Sequence, residues 1–311
     1  MLQYLIILLD DTATSYCHYN NPKTEKHLIP LDDLKAGILF AMKQNLTIQF
    51  VYPTYKIPAE YQDVIETIDH IKIMPANAEH ITNANVLVFN SCKQFSPEKT
   101  EKNKEKIFVL RINGKNKTCP DITIPENSRL NIIITDIETF TENDFETYKQ
   151  YLSELATTVN KIYNDGKTPQ INILTDRILL EKMNNCNAGA ENVTLAPNGK
   201  FYVCPAFYYD DENNSIGNLK NGLEIKNRQL YKLEYAPLCR TCDAYQCKRC
   251  VWLNKKTTLE INTPSHEQCV VAHLERNASE NLLQKLQQTG YFPNKKMPTI
   301  DYLDPFEKNK N

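Results

Sequence analysis

YLIILLD, residues 4–10, is an apolar run closed by a carboxylate, and the segments that follow it decide how it folds. LDDLKAGILFAMKQN (31–45) carries apolar residues at helical spacing, LTIQFVYP (46–53) is β-rich, PAEYQDVIETI (58–68) is helical again and DHIKIMP (69–75) extended. The alternation continues through NVLVFNS (85–91), KIFVLRIN (106–113), LNIIITD (130–136), a long helix from about 142 to 163, and a last strand at QINILT (170–175). Strands separated by helices cannot pair as hairpins, so the pattern predicts an α/β fold: a mostly parallel sheet or partial barrel with right-handed crossovers. Pro30 with Asp32 and Asp33 opens the first helix, and Thr141 with Glu142 and Asp144 opens the long one, placing acidic residues at the positive end of each helix dipole.

The run at residues 4–9 is too short for a signal-peptide core, no basic residue precedes it, and Asp10 and Asp11 end it, so it reads as a buried strand. No window approaches the roughly 20 apolar residues that span a bilayer. The expectation is a cytoplasmic protein with no membrane partner, in surroundings where disulfides do not form. With 311 residues and 41% hydrophobic composition the chain is large enough for about two domains and a sizeable core. The net charge of -2 comes from 36 basic and 38 acidic residues without a long basic face, which argues against nucleic acid as a partner. In the lysine-rich stretch 99–106, Glu101 and Glu105 intervene, as on a solvated helix face.

The cysteines divide the chain. Cys17, Cys92 and Cys119 are scattered, whereas seven of the ten lie between Cys186 and Cys269. After about residue 180 the βα rhythm gives way to turn residues, which predicts a small domain held by metal. NVTLAPNGKFYVCP (192–205) reads as a hairpin turning at Asn198-Gly199, with Cys204 ending its second strand and Cys186 preceding its first. CRTCDAYQCKRC (239–250) places Cys239, Cys242, Cys247 and Cys250 in a Cys-x2-Cys-x4-Cys-x2-Cys pattern. Short Cys-x2-Cys loops bring two thiolates to about 2.3 Å from one ion without strain. The intervening Arg240, Asp243, Gln246 and Arg249 are too polar for a core segment.

CNAGAENVTLAPNGKFYVC (186–204), SIGNLKNG (215–222), LCRTCDAYQCKRC (238–250) and the later Cys269 resemble the SPASM domain, the auxiliary iron-sulfur domain of radical SAM peptide-modifying enzymes. Twelve residues separate Cys186 from Gly199 and four separate Gly199 from Cys204, as in that family, while the central quartet departs from it by one residue in each of its last two spacings. The resemblance implies 4Fe-4S clusters, one or two, with crossed ligation: Cys186, Cys204 and Cys250 for the first, and Cys239, Cys242, Cys247 and Cys269 for the second. The segment LEKMNN (180–185) offers no eighth cysteine.

The resemblance extends to the N-terminal half as a radical SAM-like partial (β/α) barrel over 1–180, followed by the SPASM-like domain with its closing helix at 181–290 and a tail at 291–311. The loop DDTATSYCHYN (10–20) departs from the family, because Asp10 and Thr14 stand where two of three cluster thiolates belong and Cys17 alone remains. SAM binding by this loop is therefore not expected. The YLIILLDDTATS start, the Tyr16-Cys17-His18-Tyr19 segment and the SPASM-like end together resemble the CXXX repeat peptide maturase family. That likeness implies an iron-sulfur maturation protein for a ribosomally made cysteine-repeat peptide, binding the precursor and working alone or beside a partner modification enzyme.

By composition alone, the seven cysteines plus His266 or His273 equally make two zinc sites in a scaffold or peptide-binding module without redox chemistry. Adjacent Cys17 and His18 point to opposite faces of an extended segment and read as packing residues. Asp10 and Asp11, at a strand's C-terminal end where α/β folds place ligands, read as a solvated helix entry. Trp252 and Tyr245 flank the clustered cysteines and are expected to shield them from water.

Overall fold

A computed structural model describes all residues except 80, 82, 115–123, 126–127, 248 and 299–311. Cys119 and most of the tail expected at 291–311 therefore lie outside the described residues. The chain forms two compact units, each built from two stretches: Met1–Phe89 with Asn187–Tyr235, and Asn90–Cys186 with Ala236–Asn311.

The first stretch of the first unit runs β1 (Tyr4–Leu8), α1 (Leu31–Gln44), β2 (Thr47–Val51), α2 (Ala59–Ile65), β3 (His70–Pro75) and β4 (Val86–Phe89). Each strand pairs in parallel with the next. Leu5, Ile7, Leu8 and Leu9 have no exposed surface, the signature of a strand covered on both faces, as parallel sheets require. Helix α1 buries Leu34, Ile38 and Ala41, one stripe at helical spacing.

The second unit begins with α3 (Pro97–Glu101), β5 (Ile107–Ile112), β6 (Arg129–Ile134), α4 (Glu142–Asn164), β7 (Gln170–Ile171) and α5 (Thr175–Leu179). Strands β5, β6 and β7 pair in parallel. The helix start expected at Thr141 forms, and it is closed by a reciprocal cap, the Thr141 N–H donating to Asp144 at 2.8 Å. QINILT is a strand for two residues only. Beyond them the Asn172 side chain pairs with both backbone groups of Ile132, at 2.7 and 2.9 Å, and takes over the ladder that a longer strand would have made.

The chain then re-enters the first unit as β8 (Asn192–Leu195), β9 (Phe201–Tyr202), α6 (Pro205–Asp210), β10 (Gly217–Asn218) and β11 (Gly222–Leu223). The 192–205 hairpin forms, and Gly199 supplies its turn with a φ of 72° that a side chain tolerates poorly. Its first strand pairs in parallel with β1, so the unit's order is β4-β3-β2-β1-β8-β9 and the hairpin extends the N-terminal sheet. Helix α1 packs on β8 so tightly that a Cβ on Gly37 would lie 2.4 Å from Leu195 Cδ2. The second unit closes with α7 (Val251–Thr258) and α8 (His266–Gln288). Helix α4 faces α8, the Tyr148 hydroxyl donating to Glu275 at 2.7 Å.

Two expectations need correction. Cys92 is disulfide-bonded, against the expectation that no disulfide forms. Which thiols come within bonding distance is decided by the fold, and the N-terminal features that argued for reducing surroundings say nothing about it. Asp10, expected to be solvated, has no exposed surface, because Thr12 and Tyr55 satisfy it from within the protein. Among the described residues no helix is long and apolar enough to cross a membrane.

Candidate metal centre

Four of the seven clustered cysteines belong to one corner of the second unit. Residues 236–247 form a turn-rich segment without a long element of its own, and helix α8 begins beside it. The start of α8 is fixed by a second reciprocal cap: the Ser265 N–H donates to Gln268 Oε1 at 3.0 Å and the Gln268 N–H to Ser265 Oγ at 3.3 Å. Cys269 follows in the first turn, its N–H bonded to the Ser265 carbonyl. Gln268 also donates to Asn254 of α7 at 3.0 Å, which ties the two helices at the level of the thiols.

Cys239, Cys242, Cys247 and Cys269 are close enough that their ionisations influence one another. Burial raises all four, Cys239 to about 11 and Cys269 to about 12, with Cys242 and Cys247 moved in the same direction. In the metal-free protein these thiols hold their protons at neutral pH. Two backbone donors are already aimed at sulfur: Ala244 N–H at Cys242 Sγ and Arg249 N–H at Cys247 Sγ, each at 3.4 Å. Such N–H···S contacts stabilise thiolate more than thiol.

Charge completes the site. Arg177 and Arg249 are each 2% exposed, and Arg276 is also buried. Asp243, buried, pairs with Arg276 at 2.9 Å, and half-buried Glu267 acts on Cys269. Arg177 lies over the Tyr245 ring at 4.5 Å and feels both Asp243 and Cys242. Burial lowers the pKa of Arg177 and Arg249, while the neighbouring thiols oppose that shift. A corner with three buried guanidiniums and one buried carboxylate favours a negatively charged occupant.

His273 reaches Cys242, its Nε2 lying 3.6 Å from Sγ. Cys242, Asp243 and His273 offer ligand atoms within 4.8 Å of one another, and among the described residues no other three Cys, His, Asp or Glu side chains converge so closely. His266 turns away to pack edge-on against Phe145. Trp252 is buried at the start of α7, and Tyr245 is covered by Arg177. The remaining thiols are divided: Cys186, exposed, and Cys250, half-buried, belong to the second unit, and Cys204, half-buried at the N-cap of α6, to the first.

The loop after β1 is built from other materials. An antiparallel bridge of Asp10 with Leu28 closes it, and the Thr14 N–H donates to the Tyr52 carbonyl at 3.0 Å. Asp10 accepts from the Thr12 N–H and the Tyr55 hydroxyl, both at 2.8 Å. Asp11 accepts from the Tyr208 hydroxyl and lies 3.3 Å from Lys23 Nζ, which also meets Glu212 at 2.6 Å. Cys17 is half-buried between Tyr16 and Tyr19, whose ring stacks on Tyr209 at 5.6 Å. The donor set here, one thiol with two engaged carboxylates, does not fit a cluster that needs three cysteines.

Sequence reading reached the thiols and missed the arginines. Arg249 lies inside the motif, yet its burial is invisible in a segment of polar residues. Arg177 comes from α5, far from the cysteines in sequence, and no local signal marks it.

No family model matches the chain, and no curated protein does. Solved structures match along nearly its whole length. A histidine-tagged anSMEcpe with bound AdoMet aligns with a TM-score of 0.59 and 10% identity, covering 94% of this chain and 97% of that one. "Native anSMEcpe with bound AdoMet and Cp18Cys peptide" aligns with a TM-score of 0.58 and 12% identity, covering 92% and 99%. This chain has a radical SAM-like α/β fold. At such identity the likeness concerns the path of the backbone, and the side chains above carry the chemistry.

Proposed function

We propose that this chain is an iron-sulfur-binding maturation protein for a ribosomally made cysteine-repeat peptide, a member of the CXXX repeat maturase type that binds the precursor without cleaving SAM itself. The observation that carries the reading is the gathering of Cys239, Cys242, Cys247 and Cys269, in mutual electrostatic reach, beside buried Arg249 and Arg177. These four thiols would hold one 4Fe-4S cluster; Cys186, Cys204 and Cys250 are assigned to a second by the SPASM resemblance. Residues 1–180 would act as the degenerate radical SAM-like domain and 181–290 as the SPASM-like domain. A cluster supplies one-electron storage. The chain's own part would be to exclude water with Trp252 and the capped helix α8, to present N–H groups to sulfur, and to balance charge with arginine.

Peptide maturation draws support from anSMEcpe, whose structures hold AdoMet and, in one, the Cp18Cys peptide. Catalytic independence is not part of the proposal, since Asp10 and Thr14 occupy two thiolate positions and Asp10 is already hydrogen-bonded. A partner modification enzyme would then make the chemical change.

Zinc is the second reading, favoured by the tight trio of Cys242, Asp243 and His273. A tetrahedral zinc at about 2.3 Å from each sulfur draws its thiolates to roughly 3.8 Å apart. Among the described residues no three of the four thiols lie within 4.8 Å of one another. The SPASM resemblance, with its thiolate-only ligand sets, favours the iron-sulfur reading. Anaerobic purification followed by iron, sulfide and zinc analysis and a visible spectrum tests the choice: iron with matching sulfide is expected, and a colourless zinc protein overturns it. Formation of 5'-deoxyadenosine from SAM under strong reductant would overturn the non-cleaving part separately.

A further inference from the structure

A groove of about 580 Å³ runs between α4 and α8, both of the second unit. Ser153 and Ala156 of α4 and Ala278 of α8 line it with short side chains, which leave space between the two helices. On α8, Asn277, Asn281, Gln284 and Gln288 recur at intervals of four and three residues, so their carboxamides share one face of the helix. Each carboxamide offers N–H donors and a carbonyl acceptor, the complement of a peptide group. Asn277 is already oriented: its Oδ1 accepts from Nε and Nη2 of Arg276 at 3.0 and 2.9 Å, which leaves its Nδ2 protons to donate. Lys149 and Lys285 line the same groove, and among the described residues no Asp or Glu does. Glu146 comes within 4.0 Å of Lys149, but both side chains are wide open to solvent, and such a pair is worth little. From Asn277 to Gln288 the helix rises about 16 Å, the length of about five residues of extended chain.

We propose that this groove binds an extended acidic peptide segment, its backbone paired with the carboxamide row and its carboxylates with Lys149 and Lys285. An extended segment carries unpaired N–H and C=O groups along its length, and main-chain hydrogen bonds of this kind give affinity without fixing the side-chain sequence. The two lysines supply the preference for acidic residues, because a groove lined by one sign of charge attracts the other. The site uses none of the seven clustered cysteines and goes beyond the iron-sulfur reading, so it stands or falls without regard to the metal.

The test is fluorescence anisotropy of labelled probes with the full chain at low salt. The probes are a short end-capped peptide alternating Glu and Ser, its counterpart alternating Lys and Ser, an N-methylated copy of the first, and a single-stranded oligonucleotide of similar charge. The Glu-Ser peptide is expected to bind, more weakly as salt rises, and the Lys-Ser and N-methylated peptides at least about tenfold less tightly. The variants K149Q/K285Q and N281A/Q284A should each weaken the Glu-Ser peptide roughly fivefold, with thermal midpoints unchanged. No binding of the Glu-Ser peptide, or equal binding by wild type and both variants, overturns the proposal. Equal binding of the N-methylated peptide or of the oligonucleotide shows a general anion surface that does not read a peptide backbone, and overturns it as well. Should a variant fail to fold, the comparison of the plain and N-methylated peptides on wild type decides alone. Iron or zinc content measured on the same sample bears on the metal reading only.

Discussion

The Tyr208 hydroxyl donates to the Asp11 carboxylate, joining α6 to the loop after β1 across most of the first unit's sequence. Lys23 Nζ approaches the same hydroxyl at 2.7 Å and lies 4.1 Å from the Tyr208 ring centre, so the loop is latched by protein groups. Burial and Asp11 both hold the Tyr208 proton in place, raising its pKa well above the usual tyrosine value. Tyr208→Phe leaves half-buried Asp11 short of one donor and is expected to cost about 1 kcal/mol. A lowered urea midpoint with unchanged metal content checks it; an unchanged midpoint would show that Lys23 suffices.

Asp243 and Arg276 form a buried pair at 2.9 Å. Arg276→Met strands the Asp243 carboxylate beside the thiols and is expected to destabilise the second unit by about 3–5 kcal/mol. The double variant with Asp243→Asn should recover part of that loss, which thermal unfolding of the metal-free chain measures.

Metal uptake should release protons. Cys239 and Cys269, raised to about 11 and 12, are protonated throughout the neutral range, and Cys242 and Cys247 are shifted the same way. Each thiol that becomes a ligand gives up its proton, so apparent affinity rises with pH between about 6 and 9. Zinc titration of metal-free protein in a weakly buffered indicator counts the protons; a pH-independent affinity would mean the thiols are already ionised.

The same burial has a stability consequence of defined sign. A thiol whose folded pKa lies above its unfolded value, about 8.5, favours the fold below that pH and loses this contribution as pH climbs through the folded value. Metal-free protein should therefore weaken from about pH 8.5 toward about 11, the Cys239 value. Denaturation midpoints across that window, compared with those of Cys239→Ser, show whether this thiol is responsible.

Gly37→Ala tests the packing of α1 on β8. The added carbon would lie 2.4 Å from Leu195 Cδ2, so either the leucine rotates or the helix shifts. A loss of about 1–3 kcal/mol is expected, larger than the helix propensity gained from alanine. Gly37→Ala combined with Leu195→Ala should lose less than the sum of the two single variants.

The sequence alone was enough to establish the βα alternation, the long helix with its cap at Thr141, the hairpin at Asn198-Gly199 and the clustering of seven thiols. These are local properties: periodicity, a capping pattern, a turn dipeptide and short Cys-x2-Cys loops act over a few residues. Tertiary structure decided what joins across long separations. It paired β8 with β1, so that the hairpin completes the N-terminal sheet. Similarly, it ended β7 after two residues because the Asn172 side chain satisfies Ile132. In the same way it buried Asp10 against Tyr55 and brought Arg177 from α5 beside Tyr245. A buried charge is stable only where its partners converge, and that convergence is a property of the packed chain, which no window of residues contains.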